Sequence, residues 1–274
     1  MHMVLDGQDW KAAIAAHRQA PCESLIRQRL ESYRRRGYTY LRDGGDRWGA
    51  GRRARELSGR YGITYRTPLA PLCKEGCYGA FIGESFRDLK EYATMVKRQR
   101  EAGADFIKIM ISGLMDFAQP GVLFMAGPTE GEIRQMVHIA RQEGFSVMAH
   151  CNGATAALAA AEAGVDSIEH GAYLNREALE AMAENHVIWV PTLSTIGNLL
   201  GKGRYPDGAV EKILNSAFEN VAAYRALGGF VAPGSDAGAW AVPHEADTEQ
   251  AWLIKAGICE ADQEMAALEI MGRF

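Results

Sequence analysis

Residues 145–171, FSVMAHCNGATAALAAAEAGVDSIEHG, decide how the whole chain is read. FSVMAHC is a short apolar run closed by Asn152 and Gly153, the mark of a buried strand. The alanine-rich stretch down to Gly164 is a helix, alanine being the best helix former and glycine a common stop. VDSIEHG is then a second strand, ending in His170. Strand, helix and strand in this order make a βαβ unit with parallel strands, so His150 and His170 fall at the same end of consecutive strands.

The alternation extends both ways. Upstream, a helix-like stretch from Trp10 to Arg35 is broken near Pro21. YTYLRDGG (38–45) reads as a strand and glycine turn, RRARELSGRYG (52–62) as a helix, and ITYRTPLAPL (63–72) as a strand. FRDLKEYATMVKRQREAG (86–103) carries Leu89, Tyr92, Ala93 and Val96 at helical spacing. The strand FIKIMI (106–111) follows, and then a helix over 129–144 whose Thr129 and Glu132 form a capping-box pattern. Downstream come a helix (175–186), the strand VIWVPTL (187–193), a longer helix over roughly 209–227, and a last strand in GGFVAPGSDAG (228–238). With an N-terminal strand at 1–5, eight strands alternate with helices. That predicts a single α/β domain over 1–274, a (β/α)8 TIM barrel. An open doubly wound sheet is the other option, but no G-x-G-x-x-G turn supports a dinucleotide fold.

Composition excludes several classes. The 274 residues carry a formal charge of −4, and 47% are hydrophobic, an ordinary globular profile. Arg34, Arg35 and Arg36, with Arg52, Arg53 and Arg55, lie in helical patterns and read as solvated faces, so no nucleic-acid partner is expected. No stretch has the length of a membrane span, and no basic start followed by an apolar run marks a signal peptide. Five unevenly spaced cysteines suit a reduced, cytoplasmic protein. A small-molecule substrate is the expected partner, and a homo-oligomer is compatible with a sequence that carries no mark of oligomeric state.

Lys108 sits inside an isoleucine-rich run, with Phe106 and Met110 on its own face of the strand. On this segment alone, a lysine whose stem is buried and whose ammonium reaches water fits as well as an inward one. In a parallel barrel the strand C-termini converge on one active site, and Lys108, His150, His170 and Asp236 occupy that end of four strands. Singly, each is ordinary, and Asp236 after Gly234-Ser235 would suit a helix cap. Their joint placement points to a site.

FIKIM, VMAHCNG, DSIEHG and PGSDAG resemble the metal-binding strands of the amidohydrolase superfamily, in particular its imidazolonepropionase-like and prolidase-like members. The resemblance implies a hydrolase that cleaves an amide, peptide or cyclic amide bond with metal-activated water, on a substrate such as a dipeptide or N-acyl amino acid. It also implies one or two divalent ions, zinc by family habit. Lys108 would be carboxylated and bridge them, His150 and His170 would be ligands, and Asp236 would be ligand and catalytic general base. His2 matches the second histidine of the family's His-x-His pair, whose first member would precede Met1. The family's accessory β-sandwich has no counterpart strands, so the chain reads as a barrel short at both ends. The loop 113–128 offers Met115, Phe117, Phe124 and Met125 to a substrate or to packing, and Tyr173 and His244 are further candidate substrate contacts. Two other readings stay open: an amidohydrolase-like barrel with an impaired metal site and a binding role, and a Schiff-base aldolase using Lys108.

Overall fold

The computed structural model describes residues 1–119 and 121–274. Its strands are β1 (Tyr40–Arg42), β2 (Thr64–Arg66), β3 (Leu72–Lys74), β4 (Glu84–Phe86), β5 (Ile107–Met110), β6 (Leu114–Met115), β7 (Leu123–Phe124), β8 (Val147–Cys151), β9 (Ser167–His170) and β10 (Ile188–Val190). Six of them form a parallel sheet in the order β10-β9-β8-β5-β3-β4. β5, β8 and β10 are buried along their whole length, as parallel strands covered on both faces must be. The expected helices are present. Glu130–Gln142 starts at the Thr129 capping box, while Ala154–Ala163 runs between two glycines, Gly153 and Gly164.

The outer face of the sheet packs against these helices in one large core that includes Ile107, Ile109, Val147, Ile168 and Trp189. The opposite face presents Phe106, Met148, Ile188 and Val190, and helix Glu260–Arg273 lays Ala266 and Ile270 against them. Phe274 meets Phe106 edge to face at 5.2 Å. A third cluster joins the N-terminal Met3, Val4 and Leu5 to helix Glu23–Arg35 and helix Ala50–Ser58.

Three expectations need correction. ITYRTPLAPL is two elements, because Pro68 and Pro71 lack an N–H: the chain leaves β2 after Arg66 and re-enters a ladder as β3 at Leu72. Residues 1–5 form no strand, since Leu5 N–H turns back onto His2 O (3.1 Å). The last strand shrinks to one bridge, Val231 to Trp189. Among the described residues the sheet is therefore not closed, and the fold is an α/β fold with a central parallel sheet and a separate parallel pair, β1-β2. Single backbone hydrogen bonds cross the gaps: Asp105 N to Thr67 O (3.0 Å), Gly44 N to Met1 O (2.7 Å) and His2 N to Ala237 O (2.7 Å).

Candidate active site

A cavity of about 680 Å3 opens where the parallel strands end, and its lining includes His2, Lys108, Glu169, His170, Thr192 and Asp236. Lys108 projects from β5 and is 3% exposed. Its amine is lowered to about 8, chiefly because burial disfavours the charged form. One strand over, His150 is equally buried, its ring centroid 4.6 Å from that of His170. Burial pushes both imidazoles down, His150 well below its ordinary value, so both are neutral at pH 7. A neutral imidazole is the form that binds a metal. His150 Nε2 lies 3.4 Å from Gly113 O and His170 Nδ1 lies 2.8 Å from Thr192 Oγ1, which leaves His150 Nδ1 and His170 Nε2 for another partner.

Asp236 completes the arrangement from the far side. Its Oδ1 is 3.6 Å from His2 Nε2. Burial alone would raise the carboxyl, but the positive forms of His2 and His170 and the Lys108 ammonium outweigh it and hold the group at about 2. His2 falls to about 4 through burial, which Asp236 only partly offsets. His2 can approach this closely because residue 44 is glycine, where a Cβ would lie 2.2 Å from His2 Cε1. Thr192, His170 and Asp236 have φ of 49°, 74° and 55°, in the left-handed region that costs an L-residue roughly 1–2 kcal/mol. Strained backbone held at three neighbouring positions of one cavity is a pattern of functional sites.

Glu169, beside His170 on β9, reaches across to Arg42 of β1 at 2.8 Å, and Ser167 Oγ bonds both side chains. This pair is almost fully buried and joins the separate β1-β2 ladder to the main sheet.

Lys108, His150, His170, Asp236 and His2 are thus brought together. Tyr173 is not: it lines a second cavity of about 540 Å3 beside Gly113, Leu123 and Asn152, and its hydroxyl donates to Asp116 O (3.3 Å). His244 reaches the wall of the first cavity with both ring nitrogens engaged, by Tyr33 Oη (2.9 Å) and Leu5 O (2.8 Å). In the 113–128 loop, Phe117 stacks on Tyr205 at 4.3 Å, and Phe124 and Met125 are exposed; Pro120 lies outside the described residues. One site neighbour carried no sequence signal. Tyr78, on the loop after β3, packs its ring 4.8 Å from that of His150. Its hydroxyl is pushed up by burial and then by the charge of Asp236.

Among the described residues no three His, Cys, Asp or Glu side chains are grouped so as to hold a metal by themselves. The donor chemistry nonetheless suits a divalent cation: two neutral imidazoles with a free nitrogen, a carboxylate, and a buried lysine with a lowered pKa.

No family model matches the chain. Ochratoxinase of Aspergillus niger is 30% identical over 147 residues, an alignment that takes in 52% of this chain and 28% of that protein. The crystal structure of A. niger ochratoxinase superposes with a TM-score of 0.79 at 21% identity, covering 97% of this chain and 68% of that one. The chain resembles the amidohydrolases. A Xaa-Pro dipeptidase with bound methionine gives a TM-score of 0.75 at 22% identity, over 93% of this chain and 68% of that one, and a further amidohydrolase structure gives 0.77 at 22% identity over 99% and 72%. At these identities the amidohydrolase structures establish a shared fold. The match to ochratoxinase in sequence spans little more than a quarter of its length. Among the described residues no helix is long and apolar enough to cross a membrane.

Proposed function

We propose that this chain is a (β/α)8 barrel of the amidohydrolase kind that hydrolyses an amide bond in a small substrate, with a divalent cation held by His150, His170, Asp236 and Lys108. The observation that carries the reading is that Lys108, His170 and Asp236 line one cavity from separate segments of the chain, with the buried His150 ring 4.6 Å from that of His170. The backbone hydrogen bonds that cross the sheet gaps, and the Arg42–Glu169 pair between β1 and β9, support a ring of eight segments.

Lys108 contributes in a way no other residue here can. Its amine is partly neutral near pH 8, and the neutral form adds carbon dioxide: an N–C bond forms, a proton leaves, and an anionic carbamate with two oxygens results. That would supply the donor which His, Asp and Glu alone do not complete. A divalent cation bound there would polarise the scissile carbonyl and acidify water, and zinc suits the nitrogen and oxygen donors. Asp236 is ionised throughout the neutral range and accepts the proton of the attacking water at a carboxylate oxygen. It then returns that proton to the departing nitrogen as the C–N bond breaks. His170, fixed through Thr192, lines the cavity, and His150, fixed through Gly113, stands against it at 4.6 Å between ring centroids.

The relatives, a Xaa-Pro dipeptidase among them, favour a dipeptide or an N-acyl amino acid as substrate. The test is elemental analysis of protein purified without chelator and supplied with bicarbonate, followed by a panel of dipeptides and N-acyl amino acids. One or two divalent ions per chain with release of amine is the expected result. Metal-free protein trapped by borohydride with a carbonyl substrate would replace this reading with a Schiff base at Lys108. Bound metal without any turnover would leave a binding role.

A further inference from the structure

Residue 44 is glycine for a reason that its own backbone does not supply. Its φ lies outside the left-handed region, unlike that of Gly45 at 82°, so an L side chain would suit the backbone there. The three atoms nearest to an added Cβ all belong to one ring: His2 Cε1 at 2.2 Å, Nε2 at 2.6 Å and Nδ1 at 2.9 Å. The missing side chain is thus room for His2. The same turn also ties down the residues on both sides of that histidine. Asp43 Oδ1 accepts from Met3 N (3.2 Å), and Gly44 N donates to Met1 O (2.7 Å). From the Asp236 side, Ala237 O accepts from His2 N (2.7 Å), and Gly238 comes so near that a Cβ would lie 2.7 Å from His2 O.

The next residue of the turn sets the proton. Gly45 O lies 3.2 Å from His2 Nδ1. A carbonyl oxygen only accepts, so Nδ1 carries the proton of the neutral ring and Nε2 is bare. Nε2 faces Asp236 Oδ1 at 3.6 Å, too far for a hydrogen bond, and both atoms sit at the cavity that Lys108 and His170 also line. We propose that Asp43, Gly44 and Gly45 are positioning residues for His2, which hold its proton on Nδ1 and present Nε2 beside Asp236 as a lone-pair donor to the cation. The proposal rests on the amide-hydrolase reading above. None of the three residues touches the cation or the substrate, and each acts through the imidazole.

The test compares Gly44→Ala, His2→Ala and the two combined, with zinc affinity measured by competition against a chelating indicator. Gly44→Ala should bind zinc about 10–100-fold more weakly, the size typical when the partner that orients a ligating histidine is lost. His2→Ala should lose at least as much, and the combined variant no more than His2→Ala, because the glycine then has no ring to make room for. Long-range proton–nitrogen NMR of the metal-free protein gives a readout without loaded enzyme. The His2 signals, identified by their loss in His2→Ala, should show the proton on Nδ1 in the wild type, and Gly44→Ala should lose that pattern. Should Gly44→Ala alone fail to fold, the combined variant should fold, since the ring that the new Cβ meets is gone. A combined variant that also fails to fold would overturn the proposal. So would additive losses of affinity, or a wild-type His2 protonated on Nε2. Zinc binding in the wild type that Gly44→Ala leaves intact overturns the proposal alone. A wild type that binds no divalent cation overturns the hydrolase reading together with the proposal.

Discussion

Lys108, His150 and His170 stand on three adjacent strands, each paired with the next over four residues, whereas His2 and Asp236 meet on backbone that forms no strand. The first group is set by ladder hydrogen bonds and a core in which Ile107, Ile109, Val147 and Ala149 are completely buried. The second rests on isolated contacts, His2 N to Ala237 O (2.7 Å) and Gly7 N to Gly238 O (2.9 Å), and on a left-handed Asp236. Local stability follows the density of buried apolar contacts and paired backbone. One wall of the site is therefore rigid and the other adjustable, and substitutions on the two sides should fail in different ways.

The largest effect is expected at Lys108, on the rigid wall. Lys108→Ala removes the amine proposed to complete the donor set beside the two imidazoles, and activity should fall by about 10⁴-fold, the scale seen when one member of a catalytic unit is removed. Retained metal content and hydrolysis would show that Lys108 takes no part. Next in size is the tie between the two regions. Arg42→Met leaves Glu169 buried without its partner, and breaking such a pair typically costs about 3–5 kcal/mol. Urea unfolding should show that loss, and Arg42→Met with Glu169→Met together should regain most of it. If the single variant is as stable as the wild type, β1 is not held to β9 through this pair.

A pH test addresses the adjustable wall. Glu249 is buried and caps the turn after β10, accepting from Leu193 N (2.9 Å) and Ser194 N (2.7 Å). Burial raises its carboxyl from 4.5 to about 7. Between these values the folded protein binds more protons at this group than the unfolded chain does. Stability is thus lost as pH rises from 4.5 to 7, by about 3 kcal/mol. Glu249→Gln cannot ionise and should lack this slope when unfolding is followed from pH 5 to 8. Parallel pH profiles for the two proteins would show that Glu249 is not the source.

The same contrast explains what was legible beforehand. The short apolar runs at 106–111, 145–151 and 165–171 announce strands of a parallel sheet covered on both faces, and so the rigid wall and its Lys108, His150 and His170 could be read off. The adjustable wall depends on contacts between the two ends of the chain, and neither MHMVL nor GSDAG carries a periodic signal, so a full strand was expected where a turn and a single bridge stand. Proline placement at 68 and 71 could have split β2 from β3. Nothing local could have revealed Tyr78 beside His150, or the burial of His244 behind Tyr33, because both follow from packing between segments distant in sequence.

The smallest effect separates local stability from site geometry. Thr129 caps helix Glu130–Gln142, with Glu132 returning the bond at 2.9 Å to the Thr129 N–H, so Thr129→Ala should cost about 1 kcal/mol in urea unfolding. The variant is informative because Glu132 has a second partner: its Oε1 accepts from Lys74 Nζ of β3 at 2.6 Å. Lys74 ends the strand from which the Tyr78 loop departs. Losing the threonine hydroxyl removes one bond to Glu132 Oε2 and leaves the Lys74 bond in place. If the ladder side behaves as one rigid body, kcat should stay at the wild-type value while stability drops. A fall in kcat that is larger than the lost stability explains, and that is matched in Glu132→Gln, would mean that the helix start steers the β3 loop, and the rigid wall would then end at β5.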